Sequence, residues 1–319
     1  MSTLSLTTSI VDATGRMLAK YTPREKINWG RLSVISVPSV WLFIFFFVPF
    51  LVVFKISFAE SEIAIPPYSD LMSWDAEDTF LSIKLSLANY IFLFEDALYL
   101  DAYWSSVKIA GVATFITLIV AFPMAYLIAR SDPSKRNLLL MLVVVPFWTS
   151  FLLRIYAWMG FLNKNGLINQ ALMSIGIIDE PLIMMQTDFA VYIGIVYAYL
   201  PLMILPLYTA LEKMDMTLIE AASDLGATPT QSFIKITLPL AVPGIIAGCM
   251  LVFIPAVGEF VIPSLLGGSD TLMIGRVLWD EFFQNRDWPM AAAVATVMLV
   301  MLLLPIMLVS DGQEKKEEA

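Results

Sequence analysis

The chain has 319 residues, 59% of them apolar, a mean hydropathy of +0.78 and a formal net charge of −9. The apolar share stands well above the roughly 45–50% of globular proteins. Its charges cluster in short segments between long uncharged runs, which excludes a water-soluble core and points to an integral membrane protein. The absence of histidine removes imidazole acid–base chemistry, the single cysteine (Cys249) leaves neither a disulfide nor a metal cluster, and the acidic balance argues against a nucleic-acid partner.

Residues 1–30 are polar and basic, with Arg16, Lys20, Arg24 and Lys26 followed by Arg31. No apolar core with a cleavage site occurs there, so no removable signal peptide is expected. The first expected span, residues 32–54, carries no charge. At 1.5 Å per residue it reaches roughly 35 Å, enough to cross a bilayer with some tilt. A long acidic loop follows, from Lys55 to Lys108, with Glu60, Glu62, Asp70, Asp75, Glu77, Asp78, Glu95, Asp96 and Asp101 against three lysines. Such a loop either raises the local concentration of a cationic solute or is simply solvated.

Further spans are expected at residues 109–129, at 137–153 with a continuation past Arg154, and at 189–211. Prolines within these runs predict kinks, tolerated where neighbouring helices satisfy the freed carbonyls. Arg154, near a span end, is expected to snorkel. Residues 220–239, EAASDLGATPTQSFIKITLP, then form a polar break. Thr217 and Glu220 have capping-box spacing, Gly226 suits a left-handed helix end, and Thr228, Pro229 and Gln231 start a second helix. Two short helices with a sharp turn are expected, bounded at Pro239. A plain connection would need fewer residues, so this element is built to touch a partner.

The fifth span is expected from near Ala241 towards Val257. Glu259 ends a charge-free run that began at Ile236. An ionisable group there is a functional candidate, the alternatives being a pair with Arg276 or a cap on a broken helix. Eighteen residues from Ala241 make about 27 Å, placing Glu259 towards the outer side. Asp280 and Glu281 follow among Trp279, Phe282, Phe283 and Trp288, as paired carboxylates beside aromatic faces or as a solvated membrane belt. Arg276, Arg286 and Asp287 are expected in structural pairs. The sixth span covers residues 289–310, and the charged tail 311–319 is expected to be disordered.

Six spans place both termini on one side. Twelve of the nineteen basic residues fall on that side, so the positive-inside rule puts the termini and the 212–240 loop in the cytoplasm. No glycine-rich run precedes a Lys-Ser/Thr pair, so the chain has no Walker A nucleotide loop and cannot itself supply ATP hydrolysis.

Glu220, Ala221, Ala222, Gly226, Ile236, Leu238 and Pro239 together resemble the EAA loop of importer-type ABC permeases, with every fixed position present. IPPY at 65–68, FWTSFLLRIYAWMGFL at 147–162, YIGIVYAYLPLMILPLYTAL at 192–211, FIPAVGEFVIPSLLGG at 253–268 and MIGRVLWDEFFQNRDWP at 273–289 resemble the putrescine/spermidine branch of that family, most of all its putrescine importers. The resemblance implies an all-α type I importer permease with six transmembrane helices. Residues 1–30 would be a cytoplasmic segment, 31–310 the permease domain and 311–319 a cytoplasmic tail, in a bacterial inner membrane.

The implied partners are a second homologous permease, two copies of an ABC ATPase that hold the ATP and Mg²⁺, and a periplasmic polyamine-binding protein. The chain would hold no cofactor of its own. The EAA residues would couple it to the ATPase. A diammonium cargo needs carboxylates or carbonyls and aromatic faces, so Glu259, Asp280, Glu281, Trp279, Tyr197 and Trp158 are the substrate-path candidates. Within the class, spermidine or another small cation is the alternative cargo. A gradient-driven secondary transporter would show inverted repeats and more intramembrane charges, and a mere scaffold would use the EAA loop only for docking.

Overall fold

The computed structural model describes residues 29–75 and 80–317; the expectations for the first 28 residues, for Glu77 and Asp78 and for the last two residues lie outside them. The chain divides after Val53 into two compact units. Within the first, α1 (Trp29–Leu42) passes through a π turn at Phe43–Phe47 into α2 (Val48–Ile56), which runs on into the second unit. Trp41 meets Phe45 at 5.1 Å and Phe43 stacks on Phe47 at 5.2 Å, each pair one turn apart and the two pairs on different helix faces. The π turn lies just before Pro49. A wide i→i+5 turn gives the ring room and absorbs the hydrogen bond that proline cannot donate.

The second unit begins with an addition to the expected all-helical architecture. Strands β1 (Met72–Asp75) and β2 (Phe80–Ile83) pair antiparallel, with Met72 opposite Ile83 and Asp75 opposite Phe80. Helix α3 (Ala88–Glu95) follows, then α4 (Ala97–Arg130). At 34 residues, α4 starts well before the expected Ile109. The Asp96 carboxylate accepts from Leu98 N–H at 2.9 Å, so a local cap starts the helix before the apolar run does.

The third expected span is not continuous. α5 (Pro133–Val144) ends in a 3₁₀ turn, Val145–Trp148, and the chain restarts as α6 (Phe151–Leu162) and α7 (Leu167–Ser174) after a 90° bend. Pro146 removes a helical donor, and Thr149 and Ser150 leave the helical region, so the apolar run is cut in two. The fourth span, α8 (Asp188–Glu212), agrees with expectation to within a residue at each end and is capped by Thr187.

Two short helices follow, α9 (Thr217–Asp224) and α10 (Pro229–Ser232). A π turn at Phe233–Thr237 joins α10 directly to α11 (Leu238–Val257), so one helix runs from Pro229 to Val257. Pro239 is therefore not a boundary: as at Pro49, the wide turn just before it accommodates the ring. α12 (Val261–Leu266), α13 (Ile274–Trp279) and a π turn at Asp280–Asn285 lead to α14 (Trp288–Glu317). The expected disordered tail is helical as far as Glu317.

Among the described residues four helices are long and apolar enough to cross a bilayer, and the bent pair makes five. The expected six is reached only by adding α14, whose apolar part Trp288–Leu303 is short.

The centre of the second unit is the contact of α4, α8 and α11, made through small residues. Ala110, Ala113, Ala121 and Ala125 of α4 and Ala190 and Ala198 of α8 are buried. A β-carbon on Gly244 would stand 2.6 Å from the Ala210 β-carbon, and one on Gly248 would stand 2.6 Å from Met203 sulfur. Helices in lipid lack a hydrophobic drive to associate and gain instead from such close approach. Two polar ties reach across: Tyr103 Oη donates to the Val294 carbonyl at 2.7 Å, and Ser106 Oγ accepts from Ile274 N–H at 2.7 Å. They fix α14 and α13 against α4 and so set the surroundings of residues 258–287.

Candidate functional site

The polar break folds as a self-capped helix–turn–helix. Its entry is held at Glu212, whose carboxylate meets Arg136 at 2.7 Å, while the same guanidinium also donates to the Ala129 carbonyl at 3.1 Å. The start of α9 is tied by Asp215, which accepts from Thr217 N–H at 3.0 Å. The Thr217 backbone N–H, then its hydroxyl, hold the Asp215 carboxyl below its ordinary value. The expected capping box is thus replaced: Glu220 is exposed, and its carboxylate makes no hydrogen bond or ion pair among the described residues.

α9 ends in a Schellman motif. Ala227 N–H bonds the Ala222 carbonyl and Gly226 N–H the Ser223 carbonyl, both at 2.9 Å, with Gly226 at φ +82°. The expected box at Thr228 is present. Gln231 N–H reaches the Thr228 hydroxyl at 3.3 Å and Thr228 N–H reaches Gln231 Oε1 at 2.9 Å, with Pro229 in the first turn.

The turn projects Leu225, 90% exposed, with Met216 and Leu218 exposed beside it. Ala221 is exposed and Ala222 half-buried. Ile236, Leu238 and Pro239 do not lie in the turn; they form the start of the fifth span, where Phe233 packs edge-on against Phe122 at 5.6 Å and Tyr126 at 6.3 Å of α4. The seven residues therefore run from an exposed element into one helix that continues from Pro229 through a π turn to Val257.

The substrate-path candidates do not form one site. Glu259 is 8% exposed. Its Oε1 accepts from Val261 N–H at 3.0 Å and Ile262 N–H at 3.4 Å, and its Oε2 accepts from Tyr199 Oη. Of the readings open for it, the cap on a broken helix is the one observed. Arg276 is instead 4.0 Å from Asp280. The carboxylate thereby joins α8 to the turn between α11 and α12. α13 is seated on the same turn, for a β-carbon on Gly275 would lie 2.3 Å from the Gly258 carbonyl oxygen.

Asp280 and Glu281 are not a joint site. The π turn turns them apart: Asp280 takes Arg276 and Gln284, whereas Glu281 accepts from Tyr99 Oη at 2.8 Å and from Asn285 at 2.9 Å. Glu281 lines a cavity of about 540 Å³ with Asp96, Asp287, Phe92 and Tyr99. No spacing in the sequence could have gathered these, since they come from α3, α4 and the approach to α14. Asp287 is a cap rather than half of a pair, accepting from Met290 N–H at 3.0 Å, and Arg286 has no ion pair among the described residues. Trp279 stacks on Phe260 at 4.4 Å and touches Phe283 at 4.1 Å. Tyr197 and Trp158 meet edge-on at 5.5 Å, and Tyr197 also lines a separate apolar cavity of about 470 Å³ with Pro123, Pro146 and Pro201.

Packed apolar helices long enough to cross a bilayer, with a polar projection between two of them, are the architecture of an integral membrane protein. The family described as binding-protein-dependent transport system inner membrane component matches residues 110–310, and the chain belongs to that family. It is 41% identical over 283 residues to the spermidine/putrescine transport system permease protein PotB of Haemophilus influenzae, covering 88% of this chain and 94% of that one. The corresponding Escherichia coli protein is 40% identical over 87% of this chain and 97% of its own length. These relatives are transporter permease subunits, not enzymes. The fold is that of the type I ABC importer permeases. A bacterial alginate ABC transporter chain matches with a TM-score of 0.65 at 16% identity, over 89% of this chain and 93% of that one. The methionine transporter MetNI matches at 0.51 and 17%, over 66% and 92%.

Proposed function

We propose that this chain is one permease half of an ATP-driven polyamine importer in a bacterial inner membrane, with putrescine as cargo and both termini cytoplasmic. The reading of the cargo is supported by about 40% identity, along nearly the whole length, to permeases named for spermidine and putrescine. The reading of the coupling is carried by one observation: an exposed, doubly capped helix–turn–helix runs without a break into a crossing helix. Such an element transmits a push instead of absorbing it.

In this mechanism a second, similar permease completes the path. Two ATPase subunits, which bind the ATP and Mg²⁺, take Glu220, Ala221, Ala222 and Gly226 as their docking surface. Closure of the ATPase pair moves the loop, and Ile236, Leu238 and Pro239 carry the motion into α11. A periplasmic binding protein delivers the cargo, and hydrolysis resets the path. Glu259 holds the turn at the end of α11, while Glu281, with Asp96 and Asp287, offers carboxylates and the Tyr99 and Phe92 faces to an ammonium. Asp280, Trp279, Tyr197 and Trp158 remain the other path residues.

The test is uptake into proteoliposomes that hold the chain with its neighbouring-gene permease, ATPase and binding protein. Labelled putrescine is competed with spermidine and with a basic amino acid. ATP-dependent uptake that resists the amino acid supports the proposal, and the spermidine competition ranks the two polyamines. Uptake without ATP refutes the coupling, and ATPase stimulation by loaded binding protein without polyamine uptake refutes the cargo.

A further inference from the structure

Arg154 stands alone among apolar neighbours. Its guanidinium lies over the rings of Phe147 at 5.3 Å and Phe151 at 5.7 Å. Its Nε is shut off from solvent without an acceptor, and no carboxylate pairs with it among the described residues. Around it Trp148 is 76% exposed and Leu153 67% exposed, with Leu152 and Tyr156 exposed as well. A guanidinium held by aromatic faces in apolar surroundings keeps its charge and still requires an acceptor.

Its depth follows from the helix before it. The segment from Pro133 to Trp148 starts beside the polar turn at Ser131 and Asp132 and makes about 24 Å of helix. Against a hydrocarbon thickness of about 30 Å, Trp148 falls near the opposite boundary. The 90° bend then turns α6 along that boundary. Tryptophan, tyrosine and arginine beside exposed leucines, with Thr149 and Ser150 exposed at the bend, are the composition of the headgroup level. The planar fork of arginine matches a phosphate diester, which can take two of its N–H groups at once.

We infer that α6 is an in-plane helix and that Arg154, steadied by Phe147 and Phe151, binds the phosphate of a phospholipid at that boundary. A protein carboxylate is the rival acceptor. It is disfavoured because no carboxylate pairs with Arg154 among the described residues, and the exposed side chains around it are mainly aliphatic and aromatic, with Thr149 and Ser150 the polar exceptions at the bend.

The proposal is tested on the full chain with its co-purifying subunits, reconstituted in vesicles that mix phosphatidylethanolamine and phosphatidylglycerol with a phosphate-free diglucosyl diacylglycerol. A photoreactive benzoylphenylalanine replaces Leu153, and the adducts are read by mass spectrometry. The expected result is a phospholipid adduct favoured over the glycolipid. It should fall roughly tenfold or more in Arg154→Gln, as the loss of a charge-assisted hydrogen bond implies. Arg154→Lys, which keeps a point charge, should retain part of it, and Phe147→Leu, which leaves the guanidinium, should retain most. Adducts to a polypeptide, or phospholipid adducts unchanged in Arg154→Gln, overturn the inference. If Arg154→Gln fails to assemble, the preference for phosphate-bearing lipid in the wild type and in Phe147→Leu decides the matter. Because the readout is lipid capture, it is independent of which cargo the chain carries.

Discussion

Gly226 offers the sharpest test of how the helix–turn–helix works. Its φ of +82° lies where a side chain is strained, yet an added β-carbon would meet nothing within 4 Å. The penalty is therefore purely one of backbone conformation, about 1–2 kcal/mol for an L-residue in the left-handed region. A β-branched residue should stand at the upper end and asparagine near the lower. That energy shifts the population of the formed turn by about 5- to 30-fold. The turn is exposed, so the cost should fall on coupling and leave the packed helices intact.

For the importer proposed above, the assay is labelled polyamine imported per ATP hydrolysed by the reconstituted complex. Gly226→Val should lower that ratio by about the same 5- to 30-fold, Gly226→Ala by less, and Gly226→Asn hardly at all. Normal stoichiometry in Gly226→Val would refute the reasoning. So would an asparagine variant as defective as the valine one, because the side chain and not the backbone would then be at fault.

Three further outcomes are expected. Glu259→Ala leaves the Val261 and Ile262 donors and the Tyr199 hydroxyl unpaired, and should destabilise by roughly 1.5–3 kcal/mol. Tyr199→Phe should cost less, and the double variant less than the two together; strict additivity of the thermal midpoints would contradict the shared carboxylate. Gly275→Ala drives a β-carbon into the Gly258 and Glu259 carbonyl oxygens at 2.3 and 2.8 Å, so assembly yield and thermal midpoint should fall, by about 1–3 kcal/mol or more; an unchanged midpoint would mean that α13 does not sit on that turn.

The third outcome concerns Asp215, whose carboxyl is held low by Thr217. Its support of α9 is present above the ordinary carboxylate value and is lost as pH falls through the lowered one. The Thr217 amide resonance should titrate with a midpoint below 3.8 in the wild type and not at all in Asp215→Asn; a midpoint at or above 3.8 would remove the cap.

The helix–turn–helix was readable because its signals are local. A cap, a proline in the first turn and a glycine at the end act over three or four residues, and Thr228, Pro229 and Gly226 do what their spacing implied. Local spacing also misled where two local solutions competed: Asp215 serves the helix that Thr217 and Glu220 were expected to box, and a π turn lets Pro239 sit inside a helix it was expected to bound.

Hydropathy alone determined that the chain lives in a bilayer, and roughly where α4, α8 and α11 run, because burying apolar length in lipid needs no knowledge of neighbours. What surrounds each charge was decided only by the tertiary structure. Glu259 found Tyr199 sixty residues away, Glu281 found Tyr99 across 182, and the 90° bend left Arg154 beside two rings with no ion pair among the described residues. Such pairings depend on how closely small residues let helices approach, and that distance is set by packing in three dimensions rather than by any period along the chain.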